Sequence, residues 1–206
     1  MAAKSVIHIV EDDQPVRDSL VELLEDAGHI VRAYTKAEEL LARDAELEPG
    51  CIVSDVRMPG IDGLTLLRRL RTSGSTPPLI LITGHGDVSM AVAAMKAGAV
   101  DFLEKPFEAD ILLAAIKGAL RYRSGDARAE DTETGRRLLQ TLTPREREVF
   151  DYLVAGQSNK EIAARMGISP RTVEFDRAHI MEKTAAQGLP DLVRLSLLGR
   201  LQPSAK

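Results

Sequence analysis

Cysteine is almost missing from this 206-residue chain, and the single thiol, Cys51, excludes an intramolecular disulfide framework and any zinc site that needs two thiolates. A reducing compartment follows, with Cys51 expected as a small buried hydrophobe. No run of 18 or more apolar residues occurs, and the first strand-like segment reaches Glu11-Asp12-Asp13 too early for a secretory apolar stretch. A cytoplasmic protein without a membrane segment is expected. Internal repeats and low-complexity tracts are also lacking. What is present is ordinary in bulk: 44% apolar and 28% charged residues describe a soluble globular chain, long enough for one or two domains at about 150 residues each. The net charge of -4 hides an asymmetry, because residues 1–134 hold 15 basic and 23 acidic side chains while 135–206 hold 12 and 8. A basic C-terminal part follows an acidic N-terminal one.

The acidic part alternates short β-branched runs with segments of helical period. VIHIV (6–10), IVRAY (30–34), CIVS (51–54), LILIT (79–83) and DFLE (101–104) each precede a helical stretch: Val16 to Ala27, Ala37 to Arg43, Leu64 to Leu70, Val88 to Ala97 and Ile111 to Leu120. Five such units predict an α/β fold with a doubly wound, five-stranded parallel sheet, whose central strands are apolar throughout because both faces are covered. The polar run from Arg121 to Arg136 either extends the fifth helix or links two domains, and we read 124–136 as the linker between domains at 1–123 and 137–206. Beyond it the punctuation is all helical: Thr143-Pro144-Arg145-Glu146 is a capping-box signature ended by Gly156, Ser158 opens a short helix stopped by Gly167, Ser169-Pro170 opens a third helix from Arg171 to Lys183, and Leu189 to Leu198 forms a fourth.

In a doubly wound sheet the binding crevice lies at the carboxyl ends of the strands. There the chain places Glu11, Asp12 and Asp13, then Asp55, Thr83 and Lys105. Carboxylates about 4 Å apart repel by roughly 4 kcal/mol at an effective dielectric of about 20, so a shared pocket needs a cation or a proton. Magnesium, which prefers one or two carboxylates plus phosphate and water, suits it. Asp55 as nucleophile, with Mg²⁺, Lys105 and the Thr83 hydroxyl on the phosphoryl oxygens, makes a phosphoryl-transfer site. Acids at strand ends can also be plain helix caps.

The segments VEDDQPVR (10–17), SDVRMPGIDGL (54–64), LITGHGD (81–87) and KAGAVDFLEKPF (96–107) resemble the receiver domain of two-component response regulators, a flavodoxin-like fold. The resemblance implies that Asp55 is the phosphoacceptor, that Glu11 and Asp12 are its acidic pair, and that Asp12, Asp55 and the Arg57 carbonyl ligate Mg²⁺. Glu11 stands where many receivers have Asp. Thr83 and Phe102 occupy the switch positions, with Thr83 drawn to the phosphoryl group and the Phe102 ring following, and Lys105-Pro106 occupies the place of a cis peptide. Val88, Val92 and Met95 are candidates for the surface that changes, and their spacing suits a core stripe equally well. His8 and His85 receive no role.

Two short helices joined through Gly167 fit the helix-turn-helix plan, in which the second helix enters the major groove. Val173 and Ile180 mark its buried stripe and leave Arg171, Glu174, Phe175 and Ala178 on the other side. The segment LTPREREVFDYLVAGQSNKEIAARMGISPRTVE (142–174) resembles the LuxR-type DNA-binding domain, so that the whole chain looks like a FixJ/NarL-type response regulator. By that resemblance Glu174, Phe175 and Ala178 meet base edges, Lys160, Thr172, Arg177 and Lys183 meet phosphates, and the fourth helix supplies a dimer surface. The chain departs from the family at Phe175, Asp176 and Thr184, where a small aliphatic, a His, and a Leu or Met are common. An aspartate beside the DNA backbone would be repelled, whereas Phe175 can meet a thymine methyl or reshape the readout.

The resulting expectation is a transcription regulator that takes a phosphoryl group from a sensor histidine kinase, dimerises and binds promoter DNA, with RNA polymerase as a further partner. Two other readings stand beside it. A stand-alone aspartyl-phosphate enzyme would need a second acid two residues after the nucleophile, where Arg57 stands. An interaction protein that never contacts DNA would be favoured by Asp176 and by the lack of basic residues in AAQG (185–188).

Overall fold

β-Branched runs wholly buried on both faces become the inner strands of the sheet. The computed structural model describes residues 6–43, 46–74, 77–84, 88–123 and 128–200, of which 122–123, 128–132 and 199–200 are described by backbone only. Strands β1 (Val6–Val10), β2 (Ile30–Tyr34), β3 (Gly50–Asp55), β4 (Leu79–Thr83) and β5 (Asp101–Glu104) form one parallel sheet in the order β2-β1-β3-β4-β5. Every residue of β1, β3 and β4 is buried, as a sheet covered by helices on both faces demands. The order reverses between β1 and β3, and the register there pairs Val10 with Ser54, which sets Glu11 and Asp55 side by side at the carboxyl edge.

Helices α1 (Gln14–Asp26), α2 (Ala37–Leu41), α3 (Gly63–Thr72) and α5 (Ala109–Arg123) follow their strands. Leu20 and Leu24 of α1 and Leu112, Ile116 and Ala119 of α5 meet Ile7, Ile9, Val53, Ile80 and Ile82 in one aliphatic cluster. Cys51 lies in that cluster, and burial pushes its thiol up to about 12, so it is an inert packing group as expected. On α3, Leu66, Leu67 and Leu70 are fully buried. Gly63 opens that helix because any Cβ there would collide with the Asp55 carbonyl.

The remaining helices are α4 (Val88–Lys96), α6 (Arg128–Gln140), α7 (Pro144–Val154), α8 (Asn159–Met166), α9 (Pro170–Thr184) and α10 (Leu189–Arg200). Two compact units result, residues 1–85 with 97–126 and residues 86–96 with 127–206, so α4 groups with the second. Val92 and Met95 on α4 are buried, not displayed on a surface. Where a linker was expected over 124–136, residues 128–140 are helical, and 124–127 lie outside the described residues. The helix is encoded locally: Ala, Glu, Arg and Gln are strong helix formers with or without apolar neighbours, and Glu133 pairs with Arg136 and Arg137 at helical spacing. His85 also lies outside the described residues.

In the second unit the capping box anticipated at Thr143/Glu146 is closed, Ser158 opens α8 as expected and closes a second capping box with Glu161, and Ser169 caps α9 by accepting from the Thr172 amide. Gly167, with φ of 65°, makes the left-handed turn between α8 and α9. Phe150, Leu153, Ile162, Val173, Ile180 and Leu192 are fully buried and form the helical core.

Candidate functional site

The carboxyl edge of the sheet gathers the predicted acidic residues. One carboxylate oxygen from each of Glu11, Asp12 and Asp55 falls within 4.8 Å of the others. Glu11 is buried, Asp55 is 6% exposed, and Asp12 is exposed at the mouth. Lys105, which follows β5 and precedes a cis Lys105-Pro106 peptide, donates to Glu11 Oε2 and to Asp55 Oδ1, both at 2.8 Å. Its main-chain amide donates to the Thr83 carbonyl at 2.7 Å, which ties β4 and β5 together at the pocket. The Arg57 amide donates to Asp55 Oδ2 at 2.6 Å, so Asp55 is held from both sides.

Burial pushes the Glu11 carboxyl above its ordinary range, opposing the Lys105 hydrogen bond that favours its charged form. Burial also disfavours the Lys105 ammonium, yet the bonds from Asp55 and Glu11 outweigh it and hold the lysine above its usual value. The ammonium is therefore the internal counter-ion of two carboxylates. A third carboxylate, Asp12, completes a set of hard oxygen donors that suits a divalent cation of the magnesium kind.

Sequence reasoning missed the residues that hold this edge in shape. Arg17 donates to the main-chain oxygens of Glu11 at 2.9 Å and of Asp12 at 3.3 Å, fixing the loop that carries the acidic pair. Glu38 accepts from the Ile61 amide at 3.2 Å and so restrains the loop after Asp55. Asp13, which needed no metal role, caps α1 by accepting from the Val16 amide. Thr83 is fully buried, and the Phe102 ring is already buried as well. His8 packs in β1 with its nitrogens toward Tyr34 and the Glu48 carbonyl, apart from the acidic cluster.

The second candidate surface is the outer face of α9. Val173, Asp176, Ile180 and Thr184 form its buried stripe, while Arg171, Glu174, Phe175 and Ala178 are exposed, the split that helical spacing predicted. Lys160 is exposed, Arg177 is half-buried, and the half-buried Thr172 shares a 2.8 Å hydrogen bond with the Ser169 hydroxyl. Two expectations change. Asp176 does not face outward: it is 8% exposed and accepts from Arg145 Nε at 2.9 Å. Lys183 is not a free cation for phosphate, because it donates to both oxygens of buried Glu146 at 2.8 and 2.6 Å. Thr184, a departure from the Leu or Met common at its position, is satisfied by donating to the Ile180 carbonyl at 2.7 Å.

The Lys183 ammonium and the Thr143 amide hold the Glu146 carboxyl at about 2, well below its ordinary 4.5. A carboxylate depressed in the folded state adds stability that is complete above 4.5 and is lost as pH falls from there through about 2. Glu146→Gln keeps the cap but removes the charge. It is expected to cost about 1–2 kcal/mol at neutral pH and to flatten the acid limb of a stability profile over that window, measured by urea unfolding of the full chain.

Comparison with known proteins finds a match for each of the two parts of the chain. The response regulator receiver domain model matches residues 7–117, and the luxR family model of bacterial regulatory proteins matches 140–196. The transcriptional regulatory protein FixJ of Azorhizobium caulinodans is 48% identical over 96% of this chain and 94% of its own length. The tetrathionate response regulatory protein TtrR of Salmonella typhimurium is 40% identical over 92% and 91%. Among solved structures, full-length FixJ from B. japonicum aligns with a TM-score of 0.55 at 46% identity, covering 98% of this chain and all of that one. The response regulator StyR aligns with 0.56 at 39% identity, covering 95% and 99%. With its acidic pocket at the switch point of a 2-1-3-4-5 sheet and its helix-turn-helix beyond, this chain belongs to the two-component response regulators that join a receiver domain to a LuxR-type DNA-binding domain, a phosphorylation-activated class of transcription regulator.

Proposed function

We propose that Asp55 is the phosphoacceptor, and that its phosphorylation by a sensor histidine kinase drives dimerisation and promoter binding through α9. The observation that carries this reading is the shared ammonium: Lys105 Nζ stands 2.8 Å from both Asp55 and Glu11, with Asp12 in the same cluster. The Asp55 carboxylate attacks the phosphorus of a phosphohistidine, an O–P bond forming as the N–P bond breaks, and the imidazole, already protonated on its other ring nitrogen, leaves neutral. Lys105 then exchanges its contact with the Asp55 oxygen for one with a phosphoryl oxygen, and the Thr83 hydroxyl binds another. Magnesium, held by Asp12, Asp55 and the Arg57 carbonyl, would supply charge neutralisation on the phosphoryl group. The chemistry is confined to the protein's own aspartate. Arg57 stands where a phosphatase would carry its leaving-group acid, which disfavours the enzyme reading.

The receiver role belongs to residues 1–123 and the DNA-binding role to 137–206. On α9, Arg171, Glu174, Phe175 and Ala178 face base edges, while Thr172 and Arg177 of α9 and Lys160 of α8 take phosphates. Lys183 contributes chiefly by anchoring α9 to Glu146. The inward turn of Asp176 removes the repulsion that favoured a protein unable to bind DNA. A second copy of the chain doubles the phosphate contacts and engages two half-sites about one helical turn apart, and RNA polymerase is the partner at the promoter. Such partners place the protein in the cytoplasm, and among the described residues no helix is long and apolar enough to cross a membrane.

The test combines Mg²⁺ with a small phosphodonor or beryllofluoride, and follows intact mass, sedimentation and binding to selected duplexes. A single phosphoryl adduct, a shift to dimer and a rise in DNA affinity of about 10²-fold are expected. An adduct without any change in assembly or DNA affinity would overturn the reading.

A further inference from the structure

Phe175 is 62% exposed on α9, the most exposed large apolar side chain among the described residues. The phenyl ring is not loose: the His179 ring, one turn further on, lies 4.2 Å away between centroids at an interplanar angle of 59°. Ala178 adds a methyl on the same side, while Glu174 and Arg171 flank the ring from the amino-terminal turn. Ser169, Arg171, Thr172, Glu174 and Phe175 together line a shallow groove at the start of the helix. The middle of the face thus carries an apolar patch and a carboxylate, and its cation, Arg171, stands at the amino-terminal end of the groove.

The chemistry of base edges narrows what such a face accepts. In the major groove the thymine 5-methyl is the apolar feature, and phenyl and alanine methyl groups are among the side chains that meet it. A carboxylate accepts from the exocyclic amine of cytosine and is repelled by the two acceptors of guanine. Resting on the assignment of α9 as the DNA-reading helix, we propose that Phe175 is a specificity-determining residue that reads a thymine through its 5-methyl group. His179 braces the ring, and Glu174 disfavours guanine at the neighbouring position. The half-site contains a thymine whose methyl, not its hydrogen-bonding edge, is recognised.

Deoxyuridine tests this directly, since it removes the methyl and leaves every hydrogen-bonding group in place. With the full chain activated by Mg²⁺ and beryllofluoride, duplexes are selected from random sequence, and each thymine of the preferred half-site is then replaced singly by deoxyuridine. One position per half-site is expected to weaken binding about fourfold, the worth of one buried methyl. Phe175→Ala should bind more weakly and lose the thymine-over-uracil preference at that position, and Phe175→Leu should retain part of it. A flat deoxyuridine scan on tightly bound DNA overturns the methyl readout while leaving DNA binding intact. An equal uracil penalty in Phe175→Ala shows that another side chain reads the methyl, and overturns it too. Failure to bind any duplex overturns the DNA-binding reading itself and this inference with it.

Discussion

Asp55→Asn is expected to take up no phosphoryl group and to lose the whole donor-dependent rise in DNA affinity, about 10²-fold in the unsubstituted chain. The amide of asparagine is neither a competent nucleophile nor an anion. The fold should survive, because the asparagine carbonyl can still accept from the Arg57 amide, which donates to Asp55 at 2.6 Å, while Lys105 keeps Glu11 as its partner. We therefore expect a stability change below about 1 kcal/mol, within the range of a substitution that leaves buried groups paired. Intact-mass spectrometry for a hydroxylamine-labile adduct, beside DNA titrations with and without phosphodonor, reads both effects. An equal adduct on the Asn variant would remove the trigger from residue 55.

Lys105→Met should have the largest effect on stability. The ammonium serves two buried carboxylates at once, and its loss leaves Glu11 and Asp55 facing each other near Asp12 without a counter-charge. Charges about 4 Å apart cost roughly 4 kcal/mol at an effective dielectric of about 20, and the partly open mouth of the pocket reduces this to about 2–3 kcal/mol. Two rescues distinguish this cause from lost packing. Burial already raises the Glu11 carboxyl, and removing the lysine raises it further, so the folded state binds the extra proton more readily than the unfolded one. The penalty should then be full at neutral pH and shrink as pH falls toward 4.5, the ordinary value for Glu11. Millimolar Mg²⁺ should raise the Tm of the variant more than that of the unsubstituted chain. A deficit indifferent to both pH and Mg²⁺ would mean that the lysine acts only through its aliphatic stem. Phosphorylation-dependent DNA binding should fall as well, because no ammonium remains to receive the phosphoryl oxygen.

The strands and helices around the receiver pocket were legible because their signals are local. VIHIV, CIVS and LILIT declare buried strands by composition, and Thr143-Pro144-Arg145-Glu146 declares a helix start by capping chemistry. The outward face of α9 was legible for the same reason, since period alone separates Arg171, Glu174, Phe175 and Ala178 from Val173 and Ile180. Pairings between distant residues escaped. Asp176 read as an exposed acid until Arg145, 31 positions earlier, was found to neutralise it. Lys183 read as a phosphate ligand until Glu146, 37 positions earlier, claimed both its hydrogen bonds. Charge is visible in a sequence, but the partner that cancels it is set by how helices cross.

From the order of its residues alone, this chain settles that it has a parallel α/β part with acids at several strand ends and an all-helical part with a turn at Gly167, because periodicity, caps and turn residues act over a few positions. Which strands are neighbours, and hence that Glu11 and Asp55 converge on the Lys105 ammonium, was decided only when β1 packed between β2 and β3 and β5 closed the far side. Electrostatics at the pocket depends on separations of a few ångströms between groups 50 and 94 positions apart, and packing of the whole sheet supplies those separations.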